Sequence, residues 1–263
     1  MTEPSLTLGY GDFSKEVGHL IGWGRDTAAY TTDQASIISD IIASGLRQFY
    51  FPAPIQPEVV GHQWSFLSPA AELTLADATS DYDLPDDYGS LRGEITYQTE
   101  TGLLTVHLTS EGAVRVMRQA NSDSSGRPVY AAIRPKAKTT TASVKWEILF
   151  YPTPDSAYVL DYRYNVLPNK ISTTDAYLYG GAAYSECILQ SCLAVAEERA
   201  NGQPGAHLAL FKDLLNAAIS VDSRATGASG SIILGYNGDR SDGYALDRRH
   251  VNDNYVSYKD ATY

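Results

Sequence analysis

The chain has 263 residues, 43% of them hydrophobic and 19% charged, which is enough to bury a sizeable core and too apolar for a disordered polymer. The formal net charge is −11, so the clustered Lys and Arg needed to grip phosphate are lacking. Apolar runs such as EILFY fall far short of the ~20 residues of a membrane span, and MTEPSLTLGY has neither the basic start nor the apolar centre of a signal peptide, so a soluble protein made in a host cytoplasm is expected.

The first helix is predicted to begin at Asp12 as N-cap, with Phe13, Val17, Leu20 and Ile21 on one face and Gly22-Trp23-Gly24 ending it. The second opens on Thr31 and Gln34, a T-x-x-Q capping box. Ile38, Ile41, Ile42, Gly45, Leu46 and Phe49 then recur at helical spacing until Pro52 and Pro54. Gly45 on that face implies close approach of another helix.

From about residue 70 the period changes to two. Strands are expected at 72–75, 94–97, 104–108, 114–117, 128–133, 143–151 and 158–166. Turn chemistry at Thr101-Gly102, Glu111-Gly112, 121–126 and Pro152-Thr153-Pro154-Asp155 separates them.

Helices resume after Pro168. One is predicted from a Ser172/Asp175 start to Ala200, closed by Asn201-Gly202. The next begins near Pro204 with a stripe of Leu208, Phe211, Leu214, Leu215, Ala218 and Ile219. The expected class is α+β. Two N-terminal and two C-terminal helices form a small bundle over residues 1–69 and 169–222. An antiparallel β sandwich or barrel is inserted at 70–168, and an extended arm runs over 223–263.

No catalytic, metal or cofactor motif emerges. There is no G-x-x-x-x-G-K-[ST], Gly227-Ala-Ser229-Gly230-Ser231 is not a nucleophile elbow, and His19, His62, His107, His207 and His250 are scattered. Asn237, Asp239 and Asp242 resemble a calcium loop but lack its glycine (Asp242) and its final glutamate (Arg248). Cys187 and Cys192 lie ~140° apart on a helix, poor for a disulfide and expected of buried thiols. The densest acid cluster is SDYDLPDDYG, residues 80–89. A glycosidase reading makes Asp83, Asp86 or Asp87 the acid and base, with Tyr82, Tyr88 and Tyr97 as stacking walls. A solvated turn accounts for the same residues.

The order of segments resembles the head-to-tail adaptor proteins of tailed bacteriophages. The phrases that carry the resemblance are LTLGYGDF, EVGHLIGW, IISDIIASGLRQFYFP, HQWSFLSP, YDLPDDYGSLRGEITY, FYPTPDSAYVLDYRYNV, YGGAAYSECILQSCLAVAEE and FKDLLNAAISVDSRA, spread over roughly residues 6–240. The resemblance implies a structural protein of the virion neck, without enzymatic activity or cofactor. It implies a ring of 12 copies on the portal protein, a platform for the next tail component, and a channel that double-stranded DNA crosses without sequence-specific binding. No membrane is involved. Two alternatives stay open: a head-closure or tail-completion protein, and a carbohydrate-binding or cell-wall-degrading tail protein.

The arm is unlike the rest of the chain. Residues 223–263 hold five basic and five acidic residues, so the whole −11 resides in residues 1–222. Fully extended, residues 230–263 reach roughly 100 Å at about 3.3 Å per residue. Contact with the portal or a neighbouring subunit is expected from Ile232, Ile233 and Leu234 as an added strand. Tyr236, Tyr244, Tyr255, Tyr258 and Tyr263 suit pockets with polar rims, and Arg248 and Arg249 suit acidic partners.

Overall fold

A computed structural model describes residues 4–53, 61–98, 105–122, 124–138 and 144–225. The chain divides into two compact units, Met1–Lys212 and Asp213–Tyr263. The first holds helices α1 (Tyr10–Leu20), α2 (Thr32–Tyr50), α3 (Glu111–Ala120) and α4 (Ala182–Asn201). It also holds strands β1 (Ala70–Leu75), β2 (Asp81–Asp83), β3 (Tyr88–Tyr97), β4 (His107–Leu108), β5 (Tyr130–Pro135), β6 (Trp146–Tyr151) and β7 (Tyr158–Val166). Helix α5 (Ala206–Ala225) begins in the first unit, and its later turns form the described part of the second.

Capping chemistry sets the helix starts. The Thr31 box forms as expected: the Gln34 N–H donates to Thr31 Oγ1 at 3.2 Å, and the Thr31 N–H donates to Gln34 Oε1 at 2.9 Å. At α1 the expectation needs correcting. Gly9 is the N-cap, and Asp12, three residues on, accepts the Gly9 N–H at 3.1 Å. The buried face is Phe13, Ser14, Val17 and Gly18, while Leu20 is 37% exposed. Gly22 and Gly24, with φ of +89° and +84°, follow its end.

The α2 stripe packs on α4. A Cβ on Gly45 would lie 2.7 Å from Cys192 Cα, and Ser191 Oγ donates to the Gly45 carbonyl at 3.0 Å, so the glycine is required by close approach. Helix α4 is buried on all sides from Gln190 to Ala196, with Ser185, Gln190 and Ser191 among its buried residues. It starts later than predicted. Ser172 Oγ accepts the N–H groups of Thr174 and Asp175 at 3.3 and 3.2 Å, making a turn. Gly180 and Gly181, at φ +99° and +63°, then delay the right-handed helix to Ala182. Gly202, at φ +71°, ends it in the left-handed conformation, as Asn201-Gly202 predicted. On α5 the buried residues Phe211, Leu215 and Ala218 fall in the expected stripe.

The strands form two sheets, β1-β7-β3 and β2-β6-β5-β4, sandwiched rather than closed into a barrel. All pairs are antiparallel except β4 with β5. Leu75, Ile95, Ile148, Phe150, Leu160 and Tyr162 fill the space between the sheets. β7 shows why: Leu160, Tyr162, Tyr164 and Val166 are buried, while alternate residues turn outward.

The expected strand at 114–117 is helix α3. The V-R-V alternation is too short to outweigh Ser110, whose Oγ accepts the Ala113 N–H at 3.2 Å and caps a helix. Val114 and Met117, three apart, pack on Ala132 and Leu149 of the second sheet, whereas Val116 is 63% exposed. Of the strand expected at 104–108, only His107 and Leu108 are strand, with Val106 bridging Ile95; Leu104 lies outside the described residues.

Gly45→Val should therefore destabilise the fold by about 1–3 kcal/mol through overpacking against the Cys192 backbone, read as a lowered midpoint in denaturant unfolding. An unchanged midpoint would mean that α2 and α4 are not in register as described.

Candidate interaction surfaces

Of the acids at residues 80–89, Asp81, Asp83 and Asp86 are held in ion pairs, those of Asp81 and Asp83 joined into one network through Arg134, Glu147 and Lys136. Asp81 bonds Arg118 at 2.6 Å and lies 3.8 Å from Arg134; Asp83 meets Lys136 at 2.7 Å and Asp86 meets Lys145 at 2.8 Å. Asp87 accepts the Tyr164 hydroxyl at 3.1 Å. β-register explains the pattern. Asp83, Glu147 and Arg134 stand in one row across β2, β6 and β5, on the outer face of the sheet. Partial burial acts to raise the Asp81 pKa, but the hydrogen bonds from Arg118 and Ser80 and the Arg118 and Arg134 charges outweigh it, so the carboxyl titrates below its ordinary range.

The tyrosines proposed as sugar-stacking walls are engaged elsewhere. Tyr82 packs edge-on against Phe150 and its hydroxyl accepts the Ala76 N–H at 2.6 Å; Tyr88 stacks on Tyr164; the Tyr97 hydroxyl donates to the Pro128 carbonyl at 2.5 Å. Asp81, Asp83 and Asp86 are engaged by cations and Asp87 by a hydroxyl. Among the described residues no cluster of His, Cys, Asp and Glu suits a metal ion. Cys187 and Cys192 are buried free thiols, both pushed up to about 12 by burial.

Two features escaped the sequence reading, because neither has a motif. The first is a polar lock where the helices meet the sheet. Buried Ser68 gives its carbonyl to Arg163 Nε and Nη2 at 3.2 and 2.9 Å. Its hydroxyl accepts from Arg92 at 2.9 Å and donates to Asn165 at 2.7 Å. The second is a groove of about 540 Å³ at the same junction, lined by Phe51, Trp64, Leu67, Val144, Trp146 and Leu167, with Asn165 and His62 among its polar groups. Trp64 anchors it, stacked 4.5 Å from Phe49 with its Nε1–H donating to the Phe49 carbonyl at 2.9 Å. Phe51 and Leu167 are 56% and 49% exposed. Such a concavity suits contact with another macromolecule's apolar side chains.

The arm residues Ile232, Ile233, Leu234, Tyr236, Tyr244, Arg248, Arg249, Tyr255, Tyr258 and Tyr263 lie outside the described residues, as does the calcium-like stretch. No described helix is long and apolar enough to cross a membrane.

Paired acids, packed tyrosines and an amphipathic groove are surfaces suited to contact with other chains. Residues 9–232 match the family model described as SU10 adaptor protein. The match spans most of the chain, which therefore belongs to that family and is a phage structural adaptor, a component of the virion neck. No curated protein matches it.

Asp81→Asn should lower stability near neutral pH by about 1 kcal/mol or less, as partly exposed pairs do. The sign follows from the depressed folded pKa: the contribution is complete above the unfolded carboxylate range and is lost as pH falls through the folded value. The gap between wild type and variant in thermal unfolding should therefore narrow with acidification. A gap that widens in acid would remove this role from Asp81.

Proposed function

We propose that this adaptor forms a ring of 12 copies beneath the portal protein, joins it to the next tail component and extends the DNA channel. The observation that carries the reading is the family match over residues 9–232. In this reading residues 1–69 and 169–222 build the helical bundle, residues 70–168 the inserted β domain, and residues 223–263 the docking arm. The charge distribution supports it. A wall holding the whole −11 repels duplex phosphates and lets DNA pass, whereas clustered lysines would trap it. The neutral arm is free of that repulsion and reaches the portal or a neighbour with its tyrosines and with Arg248 and Arg249.

Removing residues 231–263 tests the arm. The truncated chain should keep the circular dichroism and unfolding midpoint of the full chain but fail to join portal rings by mass photometry. Normal incorporation would overturn the docking role.

Duplex DNA tests the channel reading separately. The full-length protein should retain none in filter binding at physiological salt. Micromolar binding with a steep salt dependence would show a gripping surface instead.

A further inference from the structure

Four strands form the edges of the two sheets, and three carry features that discourage further pairing. β2 has three residues, two of them aspartates held in ion pairs. β4 has two residues. β3 breaks register between Tyr88 and Ser90 and again between Arg92 and Thr96, with Gly93 at φ +77°. β1 differs. It runs six residues in unbroken register with β7, and Glu72 is its single charge.

The ladder shows what this edge offers. On the β3 side of β7, Gln98 N–H donates to the Val159 carbonyl at 3.0 Å and Leu167 N–H to the Asp87 carbonyl at 2.7 Å. Successive strand residues aim their backbone groups to opposite sides, so Tyr158, Leu160 and Tyr162 serve β1 through Leu75, Leu73 and Ala71. Ala70, Glu72 and Thr74 then point their N–H and C=O groups away from the sheet. Among the described residues no backbone hydrogen bond from another segment meets them. The core is open on this flank too, since Ala71 and Leu73 pack against it only partly buried.

We infer that β1 is an acceptor edge, occupied in the assembled ring by residues 231–236 (SIILGY) of a neighbouring copy as a fourth strand beside β1-β7-β3. This rests on the proposal that the arm makes the assembly contact, and it names the place. The donor is the longest aliphatic run in residues 226–263, all of which lie beyond α5. In an extended chain Ile232, Leu234 and Tyr236 share one face, which continues the core past Ala71 and Leu73; Ser231, Ile233 and Gly235 take the other. The segment carries no charge to oppose Glu72. One edge and one donor per copy make a heterologous contact, the kind that closes a ring.

Two readouts on the full-length chain, mixed with portal rings, test this. Chains carrying Glu72→Cys or Thr74→Cys are oxidised together with chains carrying Ser231→Cys, Ile233→Cys or Gly235→Cys. A disulfide-linked dimer is expected only in the mixture, because the buried Cys187 and Cys192 stay silent. Separately, Thr74→Pro removes an N–H that β7 does not use, at an edge position where proline is tolerated. It should fold normally yet raise the concentration needed for ring formation at least tenfold.

Absence of every cross-link while the 231–263 truncation still blocks assembly would overturn the acceptor edge and leave the arm docking elsewhere. Normal assembly of that truncation would overturn the arm reading itself. A cross-link confined within single chains of a Glu72→Cys/Ile233→Cys double variant would make the arm its own occupant and overturn the neighbour. If Thr74→Pro fails to fold, the cysteine pairs decide alone; if it folds and assembles like wild type, the inference fails.

Discussion

The pairing of β1 with β7 is the constraint on which the rest of the first unit depends. Ala70 stands opposite Arg163, so the chain leaves the helices and returns to them at one place. Contacts far apart in sequence then become local. Ser191 of α4 bonds the carbonyl of Gly45 in α2 across 146 residues of chain. Loop closure over such a length costs only slowly more as the loop grows, provided something holds its ends. The β1–β7 ladder holds them, and the Ser68 lock fixes the exit angle. Arg163 grips the Ser68 carbonyl with two donors, and Arg92 and Asn165 take both capacities of its hydroxyl. Arg92 and Arg163 face each other on neighbouring strands, a repulsive register tolerated because both guanidinium groups find oxygen on Ser68.

Much of this fold was legible where one residue carries one physical duty. Thr31 and Gln34 cap α2, Gly45 admits α4, and Gly202 ends α4, each for a reason visible in the local sequence. The reading failed where two local signals competed. At 110–120 a three-residue alternation suggested a strand, but a serine cap and the spacing of Val114 and Met117 made a helix that covers the second sheet. At 172–181 a serine turn imitated a helix start, and two glycines with positive φ postponed the helix itself. The groove and the Ser68 lock were illegible because their members come from distant segments with no spacing rule. The arm was legible only as composition.

The acid loop illustrates how a charge cluster in sequence dissolves in structure. Read linearly, four aspartates in seven residues look like a reactive site. Asp81 and Asp83 share one face of β2 and meet Arg118 of α3 and Lys136, Asp86 meets Lys145, and Asp87 accepts the Tyr164 hydroxyl. The pairs of Asp81 and Asp83 tie β2, itself only three residues long, to α3, β5 and Lys136, while the backbone ladder joins it to β6. The same pairs leave that edge charged and unsuited to further pairing, so one set of side chains both fastens a short strand and guards it.

An adaptor between two larger assemblies has to be rigid where load passes and unsatisfied where partners attach. The first unit meets the former demand with a packed sandwich, a helix seated on its outer face and a polar lock at its base. Among the described residues it meets the latter with the outer edge of β1, which no backbone hydrogen bond from another segment covers, and with the Trp64 groove. The arm is complementary in kind. It has few aliphatic residues but five tyrosines and no net charge, a composition that gains little by folding on itself and more by filling surfaces already built. Among the described residues the outward backbone groups of Ala70, Glu72 and Thr74 meet no backbone donor or acceptor from another segment, and the sequence of the arm holds one short aliphatic run. In the proposed assembly one contact would answer both, because an edge strand gains its missing hydrogen bonds when an extended segment adds to it.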